Sequence, residues 1–375
     1  MSATVGTLLL ANAGQAQLHV PGDYATIQGA VDAAMDGETI IVAPGVYVEQ
    51  VTILDKALTL IGEPGATIQA FPDMEVNVLQ PSGTRAVLAA NRSAVSISGF
   101  TFEGLGLSTL DAFKVGIYLA ASDGDIRNCT FDGFRSEPFG EAFSRGVTGF
   151  SLREWGAPHR FVSVLGCTFT DCHDSILFGG DPTDGNLDRM TARIEGNTVV
   201  GQGPVTSEVQ RGIWLGFGVG GDVRNNLVSD HIFLGEGGFS QAILAGETPS
   251  EEALMPRVTY RGNVLINNQS GIATIFSRNA RIIGNLVLAG EYSFNGIAVS
   301  GNNNWVVANA VLMDESILPG NSGVALLGWE FGGPDGFGLA SNTRVIGNLL
   351  SGADLPIWEM SGVTGTRAVG NIILP

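Results

Sequence analysis

The chain is poor in several residue types that often carry recognition or catalysis. It has two lysines, Lys56 and Lys114, with four histidines and three cysteines among 375 residues, and its acids outnumber Lys plus Arg by 37 to 19, a net charge of −18. A surface this acidic disfavours nucleic acid and anionic membranes as partners, and it repels polyanions unless calcium bridges them. No run approaches the roughly 18 apolar residues of a membrane span. An odd number of cysteines excludes complete pairing, and Cys129, Cys167 and Cys172 are expected to be reduced and buried. There is also no Pro/Ser-rich linker, so residues 17–375 are expected to form one domain. Ahead of it, "TVGTLLLANAGQAQ" has the apolar core and small-residue end of a secretory signal without its positive start. Residues 1–16 are therefore expected to be a signal remnant, which implies a secreted or periplasmic location.

What the chain has in abundance is glycine, 53 residues, and a recurring Gly-Asn or Asn-Asn step. The step occurs in "IEGNTVV", "VRNNLVS", "YRGNVLI", "IIGNLVL", "VVANAVL" (with Ala-Asn), "VIGNLLS" and "AVGNIIL", anchored at Asn197, Asn226, Asn263, Asn285, Asn309, Asn348 and Asn371. Phe100, Cys129 and Cys167 hold the same register in "ISGFTFEG", "IRNCTFDG" and "VLGCTFTD". Successive anchors are 29, 38, 30, 29, 37, 22, 24, 39 and 23 residues apart, a basic unit of 22 to 24 residues lengthened by insertions. A period of this kind predicts a solenoid whose units bury their apolar faces on one another. The flanking Val/Ile/Leu/Thr runs are too short for helices. A second motif, a small residue or Pro before a branched one, recurs in "GIYLAA", "GIWLGF", "GIAVSG" and "PIWEMS". Each coil therefore carries three strands, one before the anchor, one after it and one at the Gly-Ile motif. Asn suits the corner through its tolerance of left-handed backbone, and its amides are expected to bond one another along the coils.

"DYATIQGAVDAAMDG" places Ile27, Ala30, Val31 and Ala34 on one helical face, with Asp23 as the expected N-cap and Gly37 just past the end. This helix is expected to plug the first coil. The last coil has no such cap, and its exposed apolar edge suggests either a truncated chain or a neighbouring subunit, hence a homo-oligomer, covering it.

The segment Asp23–Ile68, with "TIQGAVDAA", "IIVAPGVYVEQVTI" and "LTLIGEPGATI", resembles the opening of pectin methylesterases and of NosD-type periplasmic maturation factors. From about residue 18 onward the chain is similar to the pectin-lyase-like superfamily. The resemblance implies an all-β right-handed parallel β-helix; its members' chemistries are too diverse to imply one activity. The esterase Gln-Asp-Thr-Leu motif is replaced by "FDGFRSEPFGE", and the polygalacturonase motifs Gly-His-Gly, Asp-Asp and Arg-Ile-Lys are absent from the matching strands. Polyuronate lyases of this superfamily use Lys or Arg, often beside calcium, and here lysine is scarce. Four histidines give the copper role of the NosD class no ligand set.

In this fold the usual cleft runs over the Gly-Ile strand, walled by long insertions. The residues following the branched position are expected to point outward: Tyr118, Leu177, Trp214, Leu244, Ala273, Ala298, Ala325 and Trp358. That stripe has no carboxylate, so acid–base groups must come from the loops. "VQRGIWLGF" and "SDHIFLGEGGFSQAILAGE" supply Asp230, Glu236 and Glu247 as candidate catalytic carboxylates. Arg211, Trp214, Tyr118 and His231 are the candidates for holding a polysaccharide or oligosaccharide. In "DPTDGNLD", Asp181, Asp184 and Asp188 have the oxygen donors and close spacing that calcium accepts. Two functions stay open: a carbohydrate-active enzyme, whether hydrolase, transferase or lyase, and a non-catalytic glycan-binding or scaffold β-helix.

Overall fold

In the computed structural model, strands from Gln17 to Leu374 stack into three parallel sheets of 13, 12 and 11 strands. The structure describes residues 17–375 except 79–83, 110–111, 138–143, 152–158, 181–189, 217, 237, 247–256 and 329–338. The architecture is a right-handed parallel β-helix. In each coil the strand before the anchor joins the first sheet, the strand after it the second, and the Gly-Ile strand the third. Each strand pairs with its counterpart in the neighbouring coils, as Thr198–Val205 does with Leu227–Phe233. Interior side chains stack in files along the axis. Phe102, Phe131 and Phe169 form one such file, with ring centroids 5.0 and 4.8 Å apart and the rings nearly parallel.

The anchor asparagines do more than turn corners. Their amides are buried and continuous: Asn263 Oδ1 accepts from both the backbone N and Nδ2 of Asn226, at 3.1 and 2.9 Å. Asn263 Nδ2 donates to Asn285 Oδ1 and to the Val223 carbonyl, both at 2.9 Å. The same pattern runs from Asn197 through Asn371. It extends to the earlier anchors through Cys167, whose N–H donates to Asn197 Oδ1. The Cys129 N–H points in turn at Cys167 Sγ, 3.5 Å away. All three cysteines are free and buried, as their anchor and core positions suggested.

The expected source of the left-handed backbone needs correction. The residue with positive φ is the one before the anchor: Gly99, Asn128, Gly166, Gly196, Asn225, Gly262, Gly284, Ala308, Gly347 and Gly370. The anchor can then turn its amide inward while its predecessor takes the strained corner. At Ala308, φ is +53° without the relief that glycine gives.

The N-terminal helix spans Ile27–Ala33 and buries Ile27, Ala30, Val31 and Ala34 against the first coils. Its N-cap is Thr26, which accepts from the Gly29 N–H. Asp23 instead accepts from the His19 N–H, closing the preceding turn. The Glu49 carboxylate receives the N–H groups of Ile27 and Gln28, at 2.9 and 3.0 Å, and so meets the positive end of the helix. At the other end, Lys56 Nζ donates to the carbonyls of Val31, Asp32 and Ala34. Lys114, nearly fully buried, donates to the carbonyls of Pro72 and Leu107. Both lysines are thus committed to backbone carbonyls. In the last coil Ile372, Ile373 and Leu374 are exposed.

Two substitutions should move stability in opposite directions. Asn263→Ala strands two donors of Asn226 and should lower the unfolding free energy by about 2 kcal/mol or more, whereas Asn371→Ala at the terminal rung should cost less. Ala308→Gly should raise it by about 1 kcal/mol. Denaturant midpoints measure all three, and an unaltered midpoint for Asn263→Ala would contradict the ladder.

Candidate functional site

Two rows of side chains leave the outer face of the third sheet. The first comprises Ala86, Val115, Arg145, Asp174, Arg211 and Gln241, paired in register across consecutive strands. The second comprises Ala89, Tyr118, Thr148, Leu177, Trp214 and Leu244. Val147, Ile176 and Ile213 lie between the rows and point into the interior core. The glycine slot before each branched residue also faces inward. A Cβ on Gly116 would lie 2.8 Å from the Phe131 ring, so nothing larger fits without rearrangement. This inward slot leaves the residue before it to emerge on the outer face, in line with the one after the branched residue.

The second row is outward as expected, yet it is covered. Leu177, Trp214, Leu244, Ala273, Ala298, Ala325, Leu327 and Met360 form one buried cluster separate from the core, and Tyr118 belongs to another with Ala86, Ala89 and Val115. The stripe is therefore mostly an apolar seam. Its chemistry is concentrated where the two rows turn polar, on the strands Phe113–Ala120, Arg145–Phe150, Asp174–Gly179 and Arg211–Gly216.

Asp174 is the centre of that region. It is 0% exposed, neither carboxylate oxygen has a hydrogen bond among the described residues, and Arg145 Nε stands 3.5 Å from Oδ2. Arg211 occupies the next coil on the other side, with its guanidinium over the Trp214 ring, 4.3 Å from the centroid. The Tyr118 phenol and the Thr148 hydroxyl, neighbours in register, are buried without hydrogen bonds. Burial pushes the Tyr118 phenol well above its ordinary value, against the opposing pull of Arg145, so the phenol stays protonated. Burying a carboxylate costs several kcal/mol, on the order of what a good partner returns, which makes a buried acid with few contacts a candidate functional group.

The residues proposed from sequence fall in different places. Tyr118, Arg211 and Trp214 share this face. Asp230 does not: it lies within the second-sheet strand Leu227–Phe233, takes a left-handed φ of +64°, and accepts from Asn267 Nδ2 at 2.6 Å. It braces one coil against the next instead of projecting from a loop. Glu236 is exposed beyond that strand, next to a hollow lined by Phe233, Leu234, Phe239, Tyr292 and Leu318. Glu247 and the three aspartates proposed for calcium, Asp181, Asp184 and Asp188, lie outside the described residues. His231 is buried on the interior side of the Gly212 slot, with Nδ1 3.1 Å from Asn268 Oδ1, so it does not share the outer face of the third sheet. Asp174 and Arg145 were missed because only the residue after each branched position was followed. Aligning the residue before each small one, "SRGV", "HDSI", "QRGI", "SQAI", would have exposed the charged row.

Comparison with known proteins follows the same outline. A family model described as NosD, periplasmic copper-binding protein, matches residues 163–373. Curated proteins gave no match. Among solved structures, the Dettilon tailspike protein is 15% identical over 96% of this chain and 68% of its own, with a TM-score of 0.62. PfbA, a surface adhesin of Streptococcus pneumoniae, is 12% identical over 96% of this chain and 91% of its own, at 0.61. A family 28 exopolygalacturonase of Yersinia enterocolitica is 11% identical over 96% and 78%, at 0.55. At such identities the likeness establishes the fold alone.

The buried imidazole makes a pH prediction. Desolvation lowers the His231 pKa from 6.5 to about 4, so over that interval the unfolded chain takes up a proton that the folded chain refuses. Its contribution to stability is whole above pH 6.5 and falls as the pH drops toward 4, by on the order of 3 kcal/mol. Denaturation at a series of pH values should show this slope in the wild type and a shallower one in His231→Gln. Equal slopes would assign the acid sensitivity elsewhere.

Proposed function

The chain belongs to the NosD family of periplasmic β-helix proteins, and on that footing we propose that it modifies a uronate-bearing polysaccharide by proton transfer at the outer face of its third sheet. The observation that carries this proposal is Asp174, a buried carboxylate without a hydrogen bond among the described residues and flanked by Arg145 and Arg211. Glycoside hydrolysis in its usual form requires two carboxylates facing each other across the scissile bond. Among the described residues of the four polar strands, Asp174 is the one acid in the outward rows. One carboxylate, one guanidinium and one neutral phenol suit a different reaction.

In that reaction Arg145 holds the sugar carboxylate and stabilises the negative charge that builds on it. Asp174 takes the proton from the ring carbon bearing the carboxylate, and the electron pair moves into an enediolate. If the pair returns to expel the glycosidic oxygen, a C–O bond breaks, a ring double bond forms, and the leaving oxygen takes the Tyr118 proton. If Tyr118 instead gives its proton back to the carbon from the opposite side, the sugar is epimerised. In both cases Asp174 ends protonated and Tyr118 ends as phenolate, and return of the proton through solvent resets the pair. Despite the acidic chain, the cation that an anionic substrate would meet here is Arg145, on the strand beside Asp174.

The family description names copper; among the described residues the three cysteines and two of the four histidines are committed to the interior or to backbone carbonyls. Cys129 and Cys167 occupy ladder positions in the interior, and Cys172 Sγ lies against the carbonyls of Phe131 and Thr170. His173 Nε2 is engaged with the Val209 carbonyl, and His231 is enclosed. No group of three metal-ligating side chains forms among the described residues.

A second reading, a glycan-binding or scaffold β-helix without catalysis, draws on the covered apolar seam from Leu177 to Met360. Asp174→Asn separates the two. With polygalacturonate or alginate as substrate, the wild type should release fragments lighter by one water than hydrolytic ones, or change the sugar configuration. The variant should lose at least ~100-fold in rate while keeping the far-UV β spectrum of the wild type. Absence of any product, or a lowered melting temperature with turnover unchanged, would favour the structural role.

A further inference from the structure

Along the outer face of the first sheet the arginines change in their pairing, with Arg261 the first exposed one that has no ion pair among the described residues. In its middle coils arginines are paired: Arg127 with Asp125 at 2.6 Å, and Arg193 and Arg224 both with Glu195 at 2.6 and 2.9 Å. In its last coils the pairing stops. The strands there read "RII" from Arg281, "WVV" from Trp305, "RVI" from Arg344 and "RAV" from Arg367, without an acid. Arg281, Trp305, Arg344 and Arg367 stand in register on four consecutive coils, all exposed. Among the described residues none of the three arginines has a carboxylate within 4.0 Å.

These guanidiniums are held in position. Trp305 lies between Arg281 and Arg344, with guanidinium carbons 5.8 and 4.5 Å from its ring centroid. Stacking on the indole fixes the plane of each guanidinium and leaves its N–H edge free for a carboxylate or sulfate. Beside Trp305 a concavity of about 370 Å³ is lined by Asn303, Asn342, Arg344 and Arg367. Its polar lining offers two amides next to two guanidiniums.

We infer that this ridge is a binding surface for an anionic polysaccharide, separate from the Asp174 face and independent of the reaction proposed there. Strands repeat every ~4.8 Å, so the row from Arg281 to Arg367 extends for ~14 Å and presents charge in a straight line. A linear chain bearing a carboxylate or sulfate on successive sugars matches such a row. Duplex nucleic acid fits less well, because the remaining surface is strongly acidic and a wide duplex would have to approach it.

The test is titration of the full chain with polygalacturonate at low ionic strength, with dextran as the neutral control and duplex DNA as the competing polyanion. The wild type should bind polygalacturonate, weaken with added salt and ignore dextran. Arg344→Ser with Arg367→Ser should weaken binding by about tenfold or more. Trp305→Leu should have a smaller effect, because it frees the guanidiniums without removing them. The loss caused by Arg344→Ser with Arg367→Ser should persist when measured in an Arg145→Ser protein, which lacks the guanidinium proposed to hold a sugar carboxylate at the Asp174 face, so failure of the catalytic proposal would leave this result unchanged. The inference is overturned if polygalacturonate does not bind, if the double arginine variant binds equally well, or if DNA binds as tightly with the same dependence on Arg344 and Arg367.

Discussion

One interaction sets the spacing and register of the coils from Asn197 to Asn371: the buried amide of the anchor asparagine, whose hydrogens and oxygen bond neighbouring coils. A solenoid has no sequence-distant contacts to fix its alignment, so each unit depends on its neighbours. Apolar stacking alone would tolerate slippage by two residues, since inward and outward faces repeat with that period. An amide ladder does not, because a slipped rung leaves a buried donor and acceptor unpaired. Insertions of very different length, as between Asn309 and Asn348, are absorbed while the anchors stay aligned.

Register is what turns a repeating chain into a site. Arg145, Asp174 and Arg211 are 29 and 37 residues apart in sequence, yet adjacent because their coils are held in step. The same alignment puts Trp305 between Arg281 and Arg344. Both surfaces exploit the same device, side chains at equal positions of successive coils forming straight files. They use it to different ends: the third-sheet file surrounds a buried carboxylate, and the first-sheet file displays exposed cations.

Much of the fold was legible because its signals are local. The Asn steps, the Gly-Ile motifs and the amphipathic helix each repeat within a few residues, and their places in the structure follow. The physical cause of the corner was one residue off, since Gly262 or Asn225 takes the left-handed backbone while the following asparagine reaches inward. The site was less legible. Asp230 looked like a loop acid, because nothing in the local pattern shows that the strand from Leu227 continues through Phe233 with Asp230 tied to Asn267. Asp174 was hidden for the opposite reason: the inward glycine slot interrupts simple alternation, so the residue before it faces out when a strict period of two would turn it in. Net charge misled as well, since −18 is an average that conceals the unpaired arginines of the last coils.

The central claim is that the outer face of the third sheet receives a sugar carboxylate at Arg145. A crystal structure of the Asp174→Asn protein with a galacturonate oligosaccharide tests it most directly. The account predicts a uronate carboxylate within hydrogen-bonding distance of the Arg145 guanidinium and the sugar ring between residue 174 and Tyr118. Saturating oligosaccharide found elsewhere, with this face still closed by protein, would contradict it.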